Sequence, residues 1–320
     1  MKIRSSRIIY AIFMVVFVMT VTALGRYIGT SLYQKNVRDA AQELVDVEVT
    51  GFIETIRYGL ELGKDMRSFY GLDDTLKAEI RKHDNVTDIY ILDSGYNTLY
   101  RTSNDQMPEE IKSVDYGIIE KGNVFYSSHR INDEYSLVTV SNTSLIKDIR
   151  GDSVSDITRI AIFGCPIVIL IMLILMFTIK DEHKNWIAIL IVLGIWIFGL
   201  SVCSCVINYN NYSRNAERVE KTVADLFKDD IAYLNEKGVD MQYVGEIEEY
   251  LQAYTDHIQG VEKIVVGRGG ELQLVYSPAA KSGVVFKYIL QMLLMVAFML
   301  IVLWEMRIFM TENKNKRRRV

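Results

Sequence analysis

The side chains best able to hold a small solute in this sequence are three tyrosines and two arginines on strand-like segments: Tyr90, Tyr100, Arg101, Tyr126 and Arg130. A guanidinium grips a carboxylate through two parallel hydrogen bonds. Aromatic walls with few polar groups are the usual form of a small-ligand site. Strand alternation puts Tyr100 and Arg101 on opposite faces, so at most one of them points into such a site. The competing reading is that these tyrosines pack an ordinary core. Catalytic and metal-binding patterns are sparse by comparison. The four histidines, His83, His129, His183 and His257, fall on separate segments without metal-ligand spacing and read as solvated polar residues. The stretch Gly267-Arg268-Gly269-Gly270 leads into a strand and not a helix, so it is a hairpin turn and not a phosphate cradle. Asp73-Asp74, Glu109-Glu110 and Glu248-Glu249 read as solvated faces. The three cysteines, Cys165, Cys203 and Cys205, sit in apolar stretches with no His or acid in the neighbouring turn, and neither polar block contains a cysteine for a disulfide. The expectation is a non-enzymatic protein with no cofactor and no metal.

The segments that must position these residues are set by a segregation of charge. At 320 residues, 50% hydrophobic and 24% charged, the average looks like an ordinary soluble chain. Yet Ile8–Leu24, Ile160–Ile179, Trp186–Ile207 and Tyr288–Trp304 are almost free of charge. Each is about as long as a helix needs to cross a hydrocarbon core of roughly 30 Å. A soluble enzyme filling the whole chain is ruled out. Lys2, Arg4 and Arg7 precede the first stretch, Lys180 and Lys184 lie in the short link, and Lys314, Lys316, Arg317, Arg318 and Arg319 end the chain. Positive charge beside short loops stays cytoplasmic. The expected organisation is a cytoplasmic N-terminus 1–7, spans at 8–24, 160–179, 186–207 and 284–306, outer segments 25–159 and 208–283, a cytoplasmic link 180–185 and a basic cytoplasmic tail 307–320. Arg26–Asp156 carries 15 basic and 23 acidic residues, and Arg214–Lys281 carries 8 and 13, so both outer blocks are acidic. Neither offers the basic face a nucleic acid needs. The basic tail reads as a contact to anionic lipid or as a stop-transfer signal alone. After the first stretch, Thr22-Ala23-Leu24-Gly25-Arg26 offers no Ala-x-Ala site, so an uncleaved anchor is expected. The middles of the spans lack ionisable residues, which argues against a transporter.

The chain also repeats itself. Tyr33-Gln34-Lys35-Asn36 aligns with Tyr212-Ser213-Arg214-Asn215, each just after an inward-to-outward span. Downstream, Val86–Leu92 aligns with Val261–Gly267, and a turn and a second strand follow in both. In the first copy, Val37, Ala41, Leu44, Val49, Phe52, Ile56 and Leu60 mark one face of a long helix over 26–64. A short helix follows at Asp73–Lys82, then strands at Val86–Leu92 and Thr98–Thr102, a hairpin of Val124–Ser128 with Tyr135–Ser141, and a helix at Ser144–Arg150. The second copy has nothing equivalent to 103–157 and reaches only two strands. A lone hairpin is marginal in water, so this copy is expected to act as a docking element that leans on its helices, on the first copy or on another subunit.

A long membrane-connected helix, a short helix and an antiparallel sheet between two spans resemble an extracytoplasmic Cache sensor domain of bacterial receptors. The resemblance is carried by Asp88-Ile89-Tyr90-Ile91-Leu92-Asp93-x-Gly95 and by the Tyr135–Ser141 strand, and it covers about 26–157. It implies a PAS-like sheet, a small extracellular ligand such as an amino acid or carboxylate, and a signal passed through the flanking spans. The family usually continues into a cytoplasmic output module, whereas only a short stretch with a few basic residues follows Trp304 here, so a separate signalling partner is expected. The fold class expected is thus an α+β membrane protein with four transmembrane helices, an outer PAS/Cache-like domain and a smaller helix-hairpin partial repeat. Three roles stay open: a membrane sensor or sensor subunit, as a monomer or homodimer; an accessory subunit whose outer domains bind protein; and the N-terminal sensory part of a longer receptor.

Overall fold

The computed structural model describes residues 2–304 except 84, 104–106, 114–116, 152, 180, 237–250, 253, 256, 257, 259, 267–271, 280, 281, 284, 288, 291, 292, 295, 299, 302 and 303. In chain order its elements are α1 (Lys2–Glu61), α2 (Leu72–Lys82), β1 (Val86–Asp93), β2 (Thr98–Arg101), β3 (Gly117–Lys121), β4 (Val124–Arg130), β5 (Tyr135–Asn142), α3 (Thr143–Arg150), α4 (Ser153–Thr178), α5 (Glu182–Glu236), β6 (Val261–Val266) and β7 (Leu272–Tyr276). They form two compact units, one of Met1–Gln34, Asp152–Asn211 and Ser282–Val320, the other of Lys35–Gly151 and Tyr212–Lys281. The first expected span and the amphipathic helix after it are one uninterrupted helix of 60 residues.

The described residues of the first unit are almost all helical. Met14, Phe17, Val18 and Val21 of α1 pack with Val168 and Met172 of α4 and with Ile189, Leu193 and Ile197 of α5. The outward faces are apolar too, with Ile12, Phe13, Val16, Ile162, Phe163, Ile167, Ile191, Ile195 and Phe198 all exposed. A water-facing helix would carry polar residues there, so these faces are built for hydrocarbon. Among the described residues, three helices are long and apolar enough to cross a membrane. The expected fourth span, 284–306, falls partly outside the described residues. Those described within 282–304 are helical, and Val296 packs on the same core.

The second unit is built on an antiparallel sheet in the order β2-β1-β5-β4-β3. β1 pairs with β5 from Val86 to Asp93 and β4 pairs with β5 from Val124 to Arg130. Helix α2 starts after Gly71, whose φ of 78° an L side chain resists. Asp73 and Asp74 in its first turn and Arg81 and Lys82 in its last complement the helix dipole. Asn142 caps α3 by accepting from the Ser144 N–H at 2.9 Å. The edge strand β3 was not anticipated from the sequence, while the other strands of this copy stand within two residues of the expected bounds.

Residues Leu44–Thr50 of α1 are buried on every side, which requires cover from two directions. The sheet supplies one. The later segment supplies the other, since a Cβ at Gly51 would lie 3.1 Å from the Tyr254 hydroxyl; the same segment reaches α3, where Arg218 Nη2 donates to the Asp148 carbonyl at 3.3 Å. The hairpin β6–β7 is a separate two-stranded sheet whose Leu274 is buried. Tyr276 donates to the Ala216 carbonyl at 3.4 Å. Burial, reinforced by the charges of Glu43, Tyr212 and Glu220, holds its phenol well above the usual range.

Candidate functional site

The pairing registers sort the sheet residues onto two faces. On the face away from α1, Arg101, Tyr90, Val138 and Ser128 form one cross-strand row, and Asp88, Val140 and Tyr126 form the next. Tyr90, Leu92, Val138 and Val140 are buried there with Met107 and Ile111 of the crossover to β3, and Tyr96, Ile119, Val124 and Tyr126 pack around them. This face is a compact aromatic and aliphatic layer with one buried acid among the described residues, Asp88.

Asp88 organises the polar part of the layer. One carboxylate oxygen accepts from the Thr102 hydroxyl and from the Ile89 N–H, the latter at 3.1 Å, and the other accepts from the Tyr90 hydroxyl at 3.3 Å. Ser103 Oγ lies 3.2 Å from the same hydroxyl. A phenol has one proton, so with it directed at Asp88 the Ser103 hydroxyl is the donor to Tyr90. Burial, opposed by that Ser103 bond and reinforced by the Asp88 charge, raises the Tyr90 phenol above its ordinary range. Tyr90 is therefore a neutral, fixed hydroxyl at physiological pH.

The five residues expected to line a site divide. Tyr90 and Tyr126 lie side by side on this face. Arg101 shares it through its register with Tyr90 but is exposed on β2. Arg130 is exposed and paired with Asp133 in the β4–β5 turn. Tyr100 sits opposite Ile91, on the other face, and its hydroxyl donates to the Met66 carbonyl at 2.8 Å. The buried charge of the layer is thus the carboxylate of Asp88, not a guanidinium. The basic tail, Lys314, Lys316, Arg317, Arg318 and Arg319, lies outside the described residues, as do His257 and the 267–271 turn.

The opposite face carries an arrangement that the sequence did not disclose. His129 on β4 places Nδ1 2.8 Å from Asp46 Oδ1 of α1, and its Nε2 lies 3.0 Å from Thr139 Oγ1 on β5. The His129 and Asp46 side chains are only 3% and 2% exposed. His129 is therefore not the solvated residue expected of it. His83 also departs from that expectation: its Nε2 lies 3.0 Å from Glu79 Oε1, and it is buried. Distances of this kind, from carboxylate to imidazole to hydroxyl, belong to nucleophile–base relays. Here Thr139 is fully buried, so no substrate reaches its hydroxyl. What the trio does is tie three elements, α1, β4 and β5, at one buried point. The histidine was visible in the sequence, but its partner stands 83 positions earlier on another element, so no local spacing could reveal the pair.

Among the described residues no group of three or more His, Cys, Asp or Glu side chains is placed to hold a metal ion. Compared with known proteins, the chain matches no family model, no curated protein and no solved structure.

Proposed function

We propose that this chain is a four-span cell-membrane protein with both termini cytoplasmic and a Cache-like outer domain, and that it works as a non-enzymatic sensor or sensor subunit. The observation that carries this reading is the two-sided sheet. One face presents Tyr90, Tyr126 and Asp88 under Met107 and Ile111, and the other is tied through His129 to Asp46 of α1. Ser128 and Val138 of the first face are direct chain neighbours of His129 and Thr139 of the second. A small solute that displaced Met107 or Ile111 from the aromatic layer would therefore shift the same strands that hold α1. Helix α1 continues to Lys2, so the helix that the sheet holds is continuous in the chain with the first apolar span. A separate partner protein would read the displacement of the spans, and the basic tail would contact anionic lipid. The hydroxyls of the layer and the buried Asp88 carboxylate favour a solute with hydrogen-bond donors, such as an amino acid. Coupling requires that the solute prefer one of two helix arrangements.

The test is thermal unfolding of the full chain in lipid nanodiscs against a panel of amino acids, carboxylates and amines. Binding to the native state alone adds about 2.7 kcal/mol at a hundredfold excess over the dissociation constant. A stabilisation by one chemical class that Tyr126→Ala abolishes supports the reading. A panel in which nothing stabilises the wild type defeats it.

A second reading, an accessory subunit whose outer region binds protein, is favoured by one observation. Val265 and Val266 of β6 are each 38% exposed on a two-stranded sheet with no further described strand on either edge. Open strand edges pair readily with other chains. Protection of the β6 amides from hydrogen exchange in native membranes, lost on purification, separates this role from the first.

A further inference from the structure

The buried positions of α5 form one seam: Ile189, Leu193, Ile197, Leu200, Ser204, Asn208, Asn211, Asn215, Val219, Val223 and Phe227, in steps of three or four. That spacing is the mark of a helix packed lengthwise against a neighbour. The seam is apolar at both ends and polar for four consecutive rungs in the middle. Asn208 is fully buried and its Nδ2 donates to the Ser204 carbonyl at 2.8 Å, but its Oδ1 has no hydrogen-bond partner among the described residues. Asn211 is 6% exposed and its Nδ2 likewise has none. Buried amides with open valences weaken packing, so tight packing alone does not explain this run.

Helix α1 lies alongside in parallel. Thr22 meets Trp196 and, seven residues on, Gly29 meets Ser204. Trp196 Nε1 donates to Thr22 Oγ1 at 3.0 Å. The indole also fills the space over Gly164 of α4, where any Cβ would stand 2.2 Å from the ring. One hydrogen bond, in a slot that only glycine allows, thus fixes the present register of α5 on α1.

A single buried Asn at a seam position specifies one register. A run of interchangeable polar rungs does the reverse. Moving α5 one turn toward the N-terminus of α1 brings Asn208 to the place of Ser204 against Gly29, and Asn211 to the place of Asn208. Polar again replaces polar. One-turn ratchets of one element past another are a known form of switching. We propose that the Ser204–Asn208–Asn211 run is a register switch between α1 and α5, latched in the present state by the Trp196–Thr22 bond. The inference does not depend on which solute, if any, the outer unit binds.

Disulfide trapping in the full chain in nanodiscs tests it, in a background where Cys165, Cys203 and Cys205 are replaced by serine. A Cβ at Gly29 would lie 3.6 Å from that of Ser204, within the disulfide range of roughly 3.5–4.5 Å. Gly29→Cys with Ser204→Cys therefore captures the present register. Gly25→Cys with Ser204→Cys captures the shifted one and leaves both asparagines untouched. The expected result is that both crosslinks form, that Thr22→Val increases the 25–204 species, and that Asn208→Leu with Asn211→Leu abolishes it while the 29–204 species persists. That persistence shows the leucine variant is folded. Absence of the 25–204 crosslink even in Thr22→Val, or its survival in the leucine variant, overturns the proposal.

Discussion

The strands β1 and β6 begin alike, as the first strand of an antiparallel hairpin, and end in opposite surroundings. Tyr90 and Ile91 of β1 are 3% and 0% exposed, whereas Val265 and Val266, their counterparts in the alignment of the two segments, are each 38% exposed. Both strands carry a register irregularity at the aligned place, between Val86 and Asp88 in one and between Val261 and Lys263 in the other. The local sequence thus builds the same kind of strand twice. What differs is β5, which pairs with β1 along its whole length and has no described counterpart beside β6. With β3, β4 and β5 come His129, Thr139, Tyr126 and Ser128, so the buried trio and much of the aromatic layer belong to one segment only. A strand's chemistry is set by its neighbours more than by its own residues.

The sharpest way to break that comparison is at His129. Removing the His129 ring takes a partner from two buried side chains, Asp46 and Thr139, at a cost of about 1–3 kcal/mol for each buried polar group left unsatisfied. His129→Ala should therefore lower the denaturant midpoint of the full chain by a corresponding amount. A change within about 0.5 kcal/mol, the size ordinary surface substitutions show, would mean that β4 and β5 are not tied to α1 through this pair.

A smaller effect sharpens the contrast directly. Ile91→Ala removes a fully buried side chain from a five-stranded sheet and should cost about 2–5 kcal/mol. Val266→Ala, at the aligned place in β6, should stay within about 0.5 kcal/mol. Equal losses in the same unfolding assay would show that β6 is covered in solution, and would move the second segment from an open hairpin to an occupied interface.

The sequence announces what depends on short-range pattern. The first three charge-free runs correspond to the long apolar helices, and the alternation around Tyr90 and Tyr135 gives β1 and β5 nearly to the residue. The opposition of Tyr100 and Arg101 follows from the pleat alone. The strand β3, Gly117–Lys121, escapes because a five-residue edge strand of Gly-Ile-Ile-Glu-Lys is too short to show a period. The site was legible only in part for a related reason. Tyr90 and Tyr126 announce themselves as aromatic residues on strands, but that Asp88 supplies the buried charge depends on Thr102, fourteen residues away. The burial of His129 depends on the register of β4 against β5 and on where α1 crosses the sheet, and no residue near it in the chain encodes either.

The mildest test concerns acid. Glu79 of α2 is buried, which opposes its charge, but the hydrogen bond from His83 and the charge of Lys82 outweigh that and hold its carboxyl below the ordinary value of 4.5. A carboxylate with a depressed folded pKa contributes stability that is fully present above its unfolded pKa and is lost as pH falls through the folded one. The denaturant midpoint should therefore hold on the near-neutral side and decline below about pH 4.5. Asp93 and Glu110 are also depressed, Asp93 by hydrogen bonds from Asn97 and Glu110 by one from its own backbone N–H and one from Lys121, but both are exposed, so their share is small. Glu79→Gln isolates the buried contribution: its midpoint should be lower than that of the wild type near neutrality, and the two curves should converge as the pH drops. Parallel curves would show that Glu79 gains nothing from His83 in the folded chain.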